Sequence, residues 1–70
     1  MIIGQNIKRF RKKRSLEKDY VASKSKIDIE LLEQIEAGQR SPNLKTLYNI
    51  SAALEVSVFD ILGYKNQEEV

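Results

Sequence analysis

Nine of the twelve Lys and Arg residues of this 70-residue chain fall within its first 27 positions. They are Lys8, Arg9, Arg11, Lys12, Lys13, Arg14, Lys18, Lys24 and Lys26, set against only Glu17 and Asp19, a local surplus of seven positive charges. Ammonium and guanidinium groups at that density suit one kind of chemistry, the neutralisation of a polyanion such as the phosphate backbone of DNA. The same run can also be a solvated helix face with no partner. The rest of the chain is acidic. Residues 28–70 hold Arg40, Lys45 and Lys65 against eight carboxylates, a deficit of five.

Catalytic chemistry has little to work with here. The chain has no histidine, which removes the commonest general base and neutral metal ligand, and no cysteine, which removes thiolate zinc sites and disulfides. No phosphate-cradling glycine loop or carboxylate dyad stands out, and a domain of this length buries only ~60% of its unfolded surface. The residue types argue against an enzyme, and no cofactor, metal or small-molecule ligand is expected. No apolar run approaches the ~20 residues of a membrane span, and Met1-Ile2-Ile3-Gly4 lacks the order of a signal peptide. The expectation is a soluble cytoplasmic domain over residues 1–64, followed by a flexible tail at 65–70.

The elements that must carry these charges read as helices throughout. Ile3, Ile7 and Phe10 recur at spacings of four and three, one face of a first helix, with Lys8, Arg9, Lys12 and Lys13 opposite. A second helix covers roughly 17–24, with Tyr20, Val21 and Ala22 towards its inner side. Asp28 is placed to cap a third helix through its carboxylate, with Leu31, Leu32 and Ile35 as the apolar stripe and Gly38 as a left-handed stop. Asn43 caps a fourth helix, whose Leu44, Leu47, Ile50 and Leu54 predict a buried face. Ser57 and Asp60 form a capping box for a short fifth helix that ends at Gly63. Five short helices with short connections predict a compact all-α domain.

One stretch makes this pattern specific. Ala22, Ile27 and Leu32 lie at intervals of five across the turn between the second and third helices, the spacing of a helix-turn-helix. Downstream come Ile35-Glu36-Ala37-Gly38-Gln39-Arg40-Ser41-Pro42, then Leu44, Leu47, Ile50, Ala53-Leu54, Val56-Ser57 and Ile61-Leu62-Gly63. The combination resembles the lambda-repressor-like, Cro-type helix-turn-helix family of DNA-binding domains, and the resemblance covers residues 3–63. It implies a five-helix fold and a transcriptional regulator of repressor or controller type that binds operator DNA as a two-fold dimer.

Position by position, the resemblance implies a structural ion pair between Arg11 and Glu36. It implies that the helix from Asp28 to Glu36 enters the major groove. The outward residues are Asp28, Ile29, Glu30, Glu33 and Gln34, and base contacts are assigned to Ile29, Glu30, Glu33 and Gln34. Carboxylates accept from the cytosine amino group, glutamine pairs bidentately with adenine, and an isoleucine touches a thymine methyl. Phosphate contacts are assigned to Lys12, Lys18, Lys26, Gln39 and Arg40. Bland readings stand beside these: Asp28 as a cap only, Glu33 paired with a nearby lysine, Glu30 paired with Lys26 four residues earlier. Tyr20, Tyr48 and Tyr64 are too scattered for a base-stacking platform.

The departures from the family pattern are specific. Glu17 stands where the family usually has a Ser or Thr cap, and Lys26 stands in place of the turn glycine at a cost of about 1 kcal/mol. Three carboxylates lie on or near the groove-facing side, and no Arg or Lys occurs between residues 27 and 39. This acidic face supports a second reading, a protein-binding helix-turn-helix module of antirepressor or antitoxin type that has lost its operator. The apolar surplus near the end (Val58, Phe59, Ile61, Leu62, Tyr64) exceeds one-sided packing. A homodimer contact is assigned to Phe59, Ile61 and Tyr64, with the alternative that Phe59 covers its own chain's core.

Overall fold

The computed structural model describes residues 2–64, with helices α1 (Ile2–Lys13), α2 (Lys18–Ser25), α3 (Ile29–Glu36), α4 (Leu44–Leu54) and α5 (Val58–Leu62). The expected tail at 65–70 lies outside the described residues. Among the described residues helices are the only regular elements. Their apolar stripes converge on one core of Ile7, Val21, Ala22, Leu32, Ile35, Leu47, Ile50, Leu54 and Ile61. Each fully buried branched side chain there contributes roughly 1.5–3 kcal/mol of transfer free energy. The helix pair α2–α3 packs on itself and, through α2, on α4, while α1 packs against α3, α4 and α5.

The turn that orients α3 follows from three residues. Ala22 and Leu32 are buried and Ile27 is half-buried between them, so a small side chain on α2 admits a large one from α3. Lys26 takes the left-handed conformation at φ 63° that the family gives to glycine. Its amide donates to the Ser23 carbonyl and the Ile27 amide donates to the Ala22 carbonyl, which closes α2.

All five helices stop in this way. A left-handed residue donates three positions back and its successor donates five positions back. The left-handed residues are Ser15, Lys26, Gly38, Glu55 and Gly63, and only two of the five are glycine. At the other ends, Asn43 Oδ1 accepts from the Thr46 amide, and Ser57 with Asp60 forms the expected reciprocal capping box. Glu17 occupies the first cap of α2 and makes no side-chain cap bond, in keeping with its poor capping chemistry.

Gly4 permits a close approach between α1 and α3. A Cβ built there would overlap the carbonyl oxygen of Ile35 and lie 3.2 Å from that of Glu36. The first turn of α1 therefore rests backbone to backbone on the last turn of α3, which only glycine permits.

Three expectations about faces need correction. Leu44 is 76% exposed. At 100° per residue it lies about 85° from the mean direction of Leu47, Ile50 and Leu54, so the stripe runs out before the helix begins. Tyr20 is exposed rather than inward, with Lys24 Nζ 5.7 Å from its ring centroid. Asp28 occupies the cap position of α3, but its side chain accepts no amide.

Candidate nucleic-acid interface

The anchor of the site is an ion pair between α1 and α3. Arg11 Nε donates to Glu36 Oε2 at 2.7 Å and Nη2 donates to Oε1 at 3.1 Å, a bidentate fork. The remaining Nη1 donates to the Leu16 carbonyl at 3.0 Å, so one guanidinium ties together α1, the α1–α2 loop and the end of α3. Both side chains are buried, each residue at 7% exposure. The hydrogen bond that Arg11 donates to Glu36 raises the Arg11 pKa above its ordinary value, outweighing the burial that acts to lower it, with smaller help from the Glu36 and Glu17 charges. The pair braces the C-terminal end of α3 against α1.

On that helix the outward residues are arranged as follows. Ile29 is 40% exposed in the first turn. Glu30 and Glu33 are exposed and Gln34 is half-buried. Lys18, the first residue of α2, holds Glu33 at 3.6 Å from its Nζ to Oε2. Arg40 Nη1 donates to Gln34 Oε1 at 3.4 Å. The loop carrying Arg40 is held by amides of Gln39 and Arg40 that both donate to the Gln34 carbonyl. The fold therefore joins two residues assigned to bases, Glu33 and Gln34, to two assigned to phosphates, Lys18 and Arg40. Gln39 is exposed beside them.

Lys26 is exposed at the turn and Lys12 is exposed on α1, neither bonded to this group. No ion pair joins Glu30 to Lys26 among the described residues, because their four-residue spacing crosses the turn instead of following one helix face. The bland reading of Glu33 as the partner of a lysine holds, and the lysine is Lys18.

The assigned dimer contacts divide. Phe59 and Tyr64 are 64% and 63% exposed, with ring centroids 6.1 Å apart. Ile61 is wholly buried in the core. The assignment of Ile61 to an interface is therefore corrected: two positions along an α-helix turn the side chain by about 200°, so Phe59 and Ile61 face opposite ways. Leu44 and Tyr48, four apart and both exposed on α4, form an apolar pair that the stripe reading concealed. Among the described residues no group of three acidic or other ligating side chains could hold a metal ion. No helix of the described residues is long and apolar enough to cross a membrane.

A helix-turn-helix family model matches residues 7–61. The chain belongs to the lambda-repressor-like helix-turn-helix family. Among its helix-turn-helix relatives, the transcriptional regulator SinR of Bacillus licheniformis is 35% identical over 69 residues, covering 97% of this chain and 62% of the relative. The immunity repressor protein of Bacillus phage phi105 is 36% identical over 63 residues, covering 90% and 44%. This chain thus spans less than two thirds of the length of these relatives. The fold is also that of the crystal structure of the restriction-modification controller protein C.AhdI from Aeromonas hydrophila. The TM-score there is 0.81 at 24% identity, over 84% of this chain and 89% of that one.

Proposed function

We propose that this helix-turn-helix chain is a sequence-specific double-stranded DNA-binding transcriptional regulator that places α3 in the major groove. The observation that carries the reading is the coupling of Glu33 to Lys18 and of Gln34 to Arg40 on the outward side of α3. A base-reading helix needs groups that reach base edges flanked by cations that reach phosphates, and these four residues supply both at one place. Ile29 and Glu30 extend the reading edge, and Lys12, Lys26 and Gln39 extend the phosphate-reaching rim. Membership in a family whose relatives are named regulators and repressors agrees with this role.

The protein acts as a homodimer through Phe59 on α5 and Tyr64 just past its end, two exposed rings 6.1 Å apart. Two recognition helices then enter successive major grooves ~34 Å apart, and occupancy of an operator controls access of the polymerase. The acidic outward face of Asp28, Glu30 and Glu33 favours a second reading, a partner protein with a basic surface in place of DNA.

The test is a salt titration of binding to genomic DNA fragments followed by footprinting of the tightest one. A discrete two-fold footprint that survives moderate salt is the expected result. Binding that is absent, or diffuse and lost as salt rises, would overturn the operator reading in favour of the protein partner.

A further inference from the structure

Three carboxylates lie on the outward side of α3, and Glu33 alone among them is ion-paired in the described residues. Its partner is Lys18, at the start of α2. Both side chains are about half exposed, so the pair stands at the surface that DNA must meet. A carboxylate carried towards the groove is repelled by phosphate, and a lysine engaged with that carboxylate is withheld from phosphate.

We infer that Glu33 is a specificity gate: by holding Lys18 it withholds one phosphate contact from DNA that offers Glu33 no base donor, and it releases Lys18 only when a cytosine amino group takes its place. This inference rests on the DNA-binding reading above and names the residue that separates right from wrong sequences within it. On a wrong sequence Glu33 meets no amino donor, so Lys18 stays to neutralise it and the complex lacks a contact. On the right sequence the cytosine N4–H donates to Glu33 Oε2 or Oε1, and Lys18 swings to the backbone. In the free protein the half-exposed pair at 3.6 Å is weak; exclusion of water at the DNA surface strengthens it where Glu33 meets no other donor, and a cytosine amino group relieves it.

Discrimination therefore comes from penalising the wrong complex as much as from rewarding the right one. It also accounts for a recognition helix that carries acid and no base between residues 27 and 39.

The experiment measures binding of the wild type, Glu33→Gln, Lys18→Met and the double variant to a random-sequence duplex pool across a salt series, with selection of preferred sequences from the same pool. Glu33→Gln is expected to tighten binding to the unselected pool by about eightfold at ~0.1 M salt and to steepen the salt slope by about 0.9, the signature of one added phosphate contact. In the Lys18→Met background the same change is expected to leave the slope unaltered, because no lysine is released. With Glu33→Ala, added to the series because its side chain accepts no hydrogen bond, selected sequences should lose a cytosine preference at one position per half-site. Equal steepening with and without Lys18 would mean a general charge effect and overturns the gate, as does no steepening at all or a cytosine preference that survives. Absence of any wild-type binding to duplex at low salt would overturn the DNA-binding reading itself, and the gate with it. Both side chains are about half exposed and their pair is weak in the free protein, so melting temperatures close to that of the wild type are expected for every variant.

Discussion

Arg11 and Glu36, separated by 25 residues, meet in a bidentate pair sealed from solvent, and the third arm of the guanidinium closes the loop before α2. Among the described residues the pair joins the helix richest in Lys and Arg to the helix proposed to enter the major groove. Gly4 adds a second clamp one end away, against the carbonyls of Ile35 and Glu36. Together they hold the C-terminal end of α3 against α1 at two points.

Removing either member of this pair strands a buried charge. Arg11→Met or Glu36→Gln alone is expected to destabilise the domain by about 3–5 kcal/mol. The double variant Arg11→Met/Glu36→Gln should cost clearly less than the sum, since neither charge then remains. Urea unfolding of the two single variants and the double variant forms the cycle. Additive losses would show that the two side chains are not coupled.

The left-handed stops give a second prediction. Glu55 and Lys26 hold φ near 60°, where a side chain is strained and glycine is not. Glu55→Gly is expected to stabilise by about 0.5–1 kcal/mol, the relief of strain less the added freedom of the unfolded chain. Its exposed pair with Arg14 at 3.7 Å offers little to lose. Lys26→Gly should give the same gain in melting temperature yet weaken binding to all duplexes alike, because a phosphate-reaching cation is lost. A parallel change in stability and binding would contradict that separation of roles.

These stops also mark where the sequence was legible and where it was not. Gly38 and Gly63 announce their conformations, since no other residue enters the left-handed region so cheaply. Ser15 and Glu55 carry no such mark, and only the closing hydrogen bonds of the folded chain reveal them. Caps at Asn43 and Ser57 were readable because donor and acceptor lie three residues apart. Ala22, Ile27 and Leu32 were readable because the helix-turn-helix constrains a short span.

Faces were harder. Leu44 continues a spacing of three that drifts around the helix, and Ile61 shares a short helix with residues of the opposite side. The pairs Lys18–Glu33 and Gln34–Arg40 were harder still, since they depend on how α2 and the loop after α3 fold onto α3 in space. Each residue could be assigned a role singly from its type, but no spacing rule couples them.

The two sides of α5 can be told apart by mutation. Ile61→Ala empties a fully buried site and is expected to cost about 2–5 kcal/mol in unfolding free energy, with no specific effect on association. Phe59→Asp changes an exposed ring and should leave the stability of the monomer within about 0.5 kcal/mol, while sedimentation shifts from dimer towards monomer. A dimer that survives both Phe59→Asp and Tyr64→Asp would place the two-fold contact elsewhere on the surface, with the exposed Leu44 and Tyr48 as the next residues to change.

Gln34 and Arg40 give a prediction that separates positioning from phosphate binding. An amide oxygen has two lone pairs, so Gln34 Oε1 can accept from Arg40 and from an adenine N6–H together, leaving Nε2 to donate to adenine N7. In the proposed complex Arg40 would thereby select the amide orientation suited to adenine. Gln34→Ala is expected to lose about 1–3 kcal/mol of discrimination at one base pair per half-site without altering the fold. If Arg40 acts by orienting that amide, Arg40→Ala lowers discrimination at the same base pair and adds little in the Gln34→Ala background. If it binds phosphate alone, Arg40→Ala weakens every sequence equally and lowers the salt slope by about 0.9. A contact at 3.4 Å on the surface is adjustable, so the expected result is a mixture, with the loss of selectivity at the Gln34 position as its diagnostic part. Quantitative binding to duplexes that differ only at that base pair, in both backgrounds, measures it, and equal losses on all of them would remove Arg40 from the reading of bases.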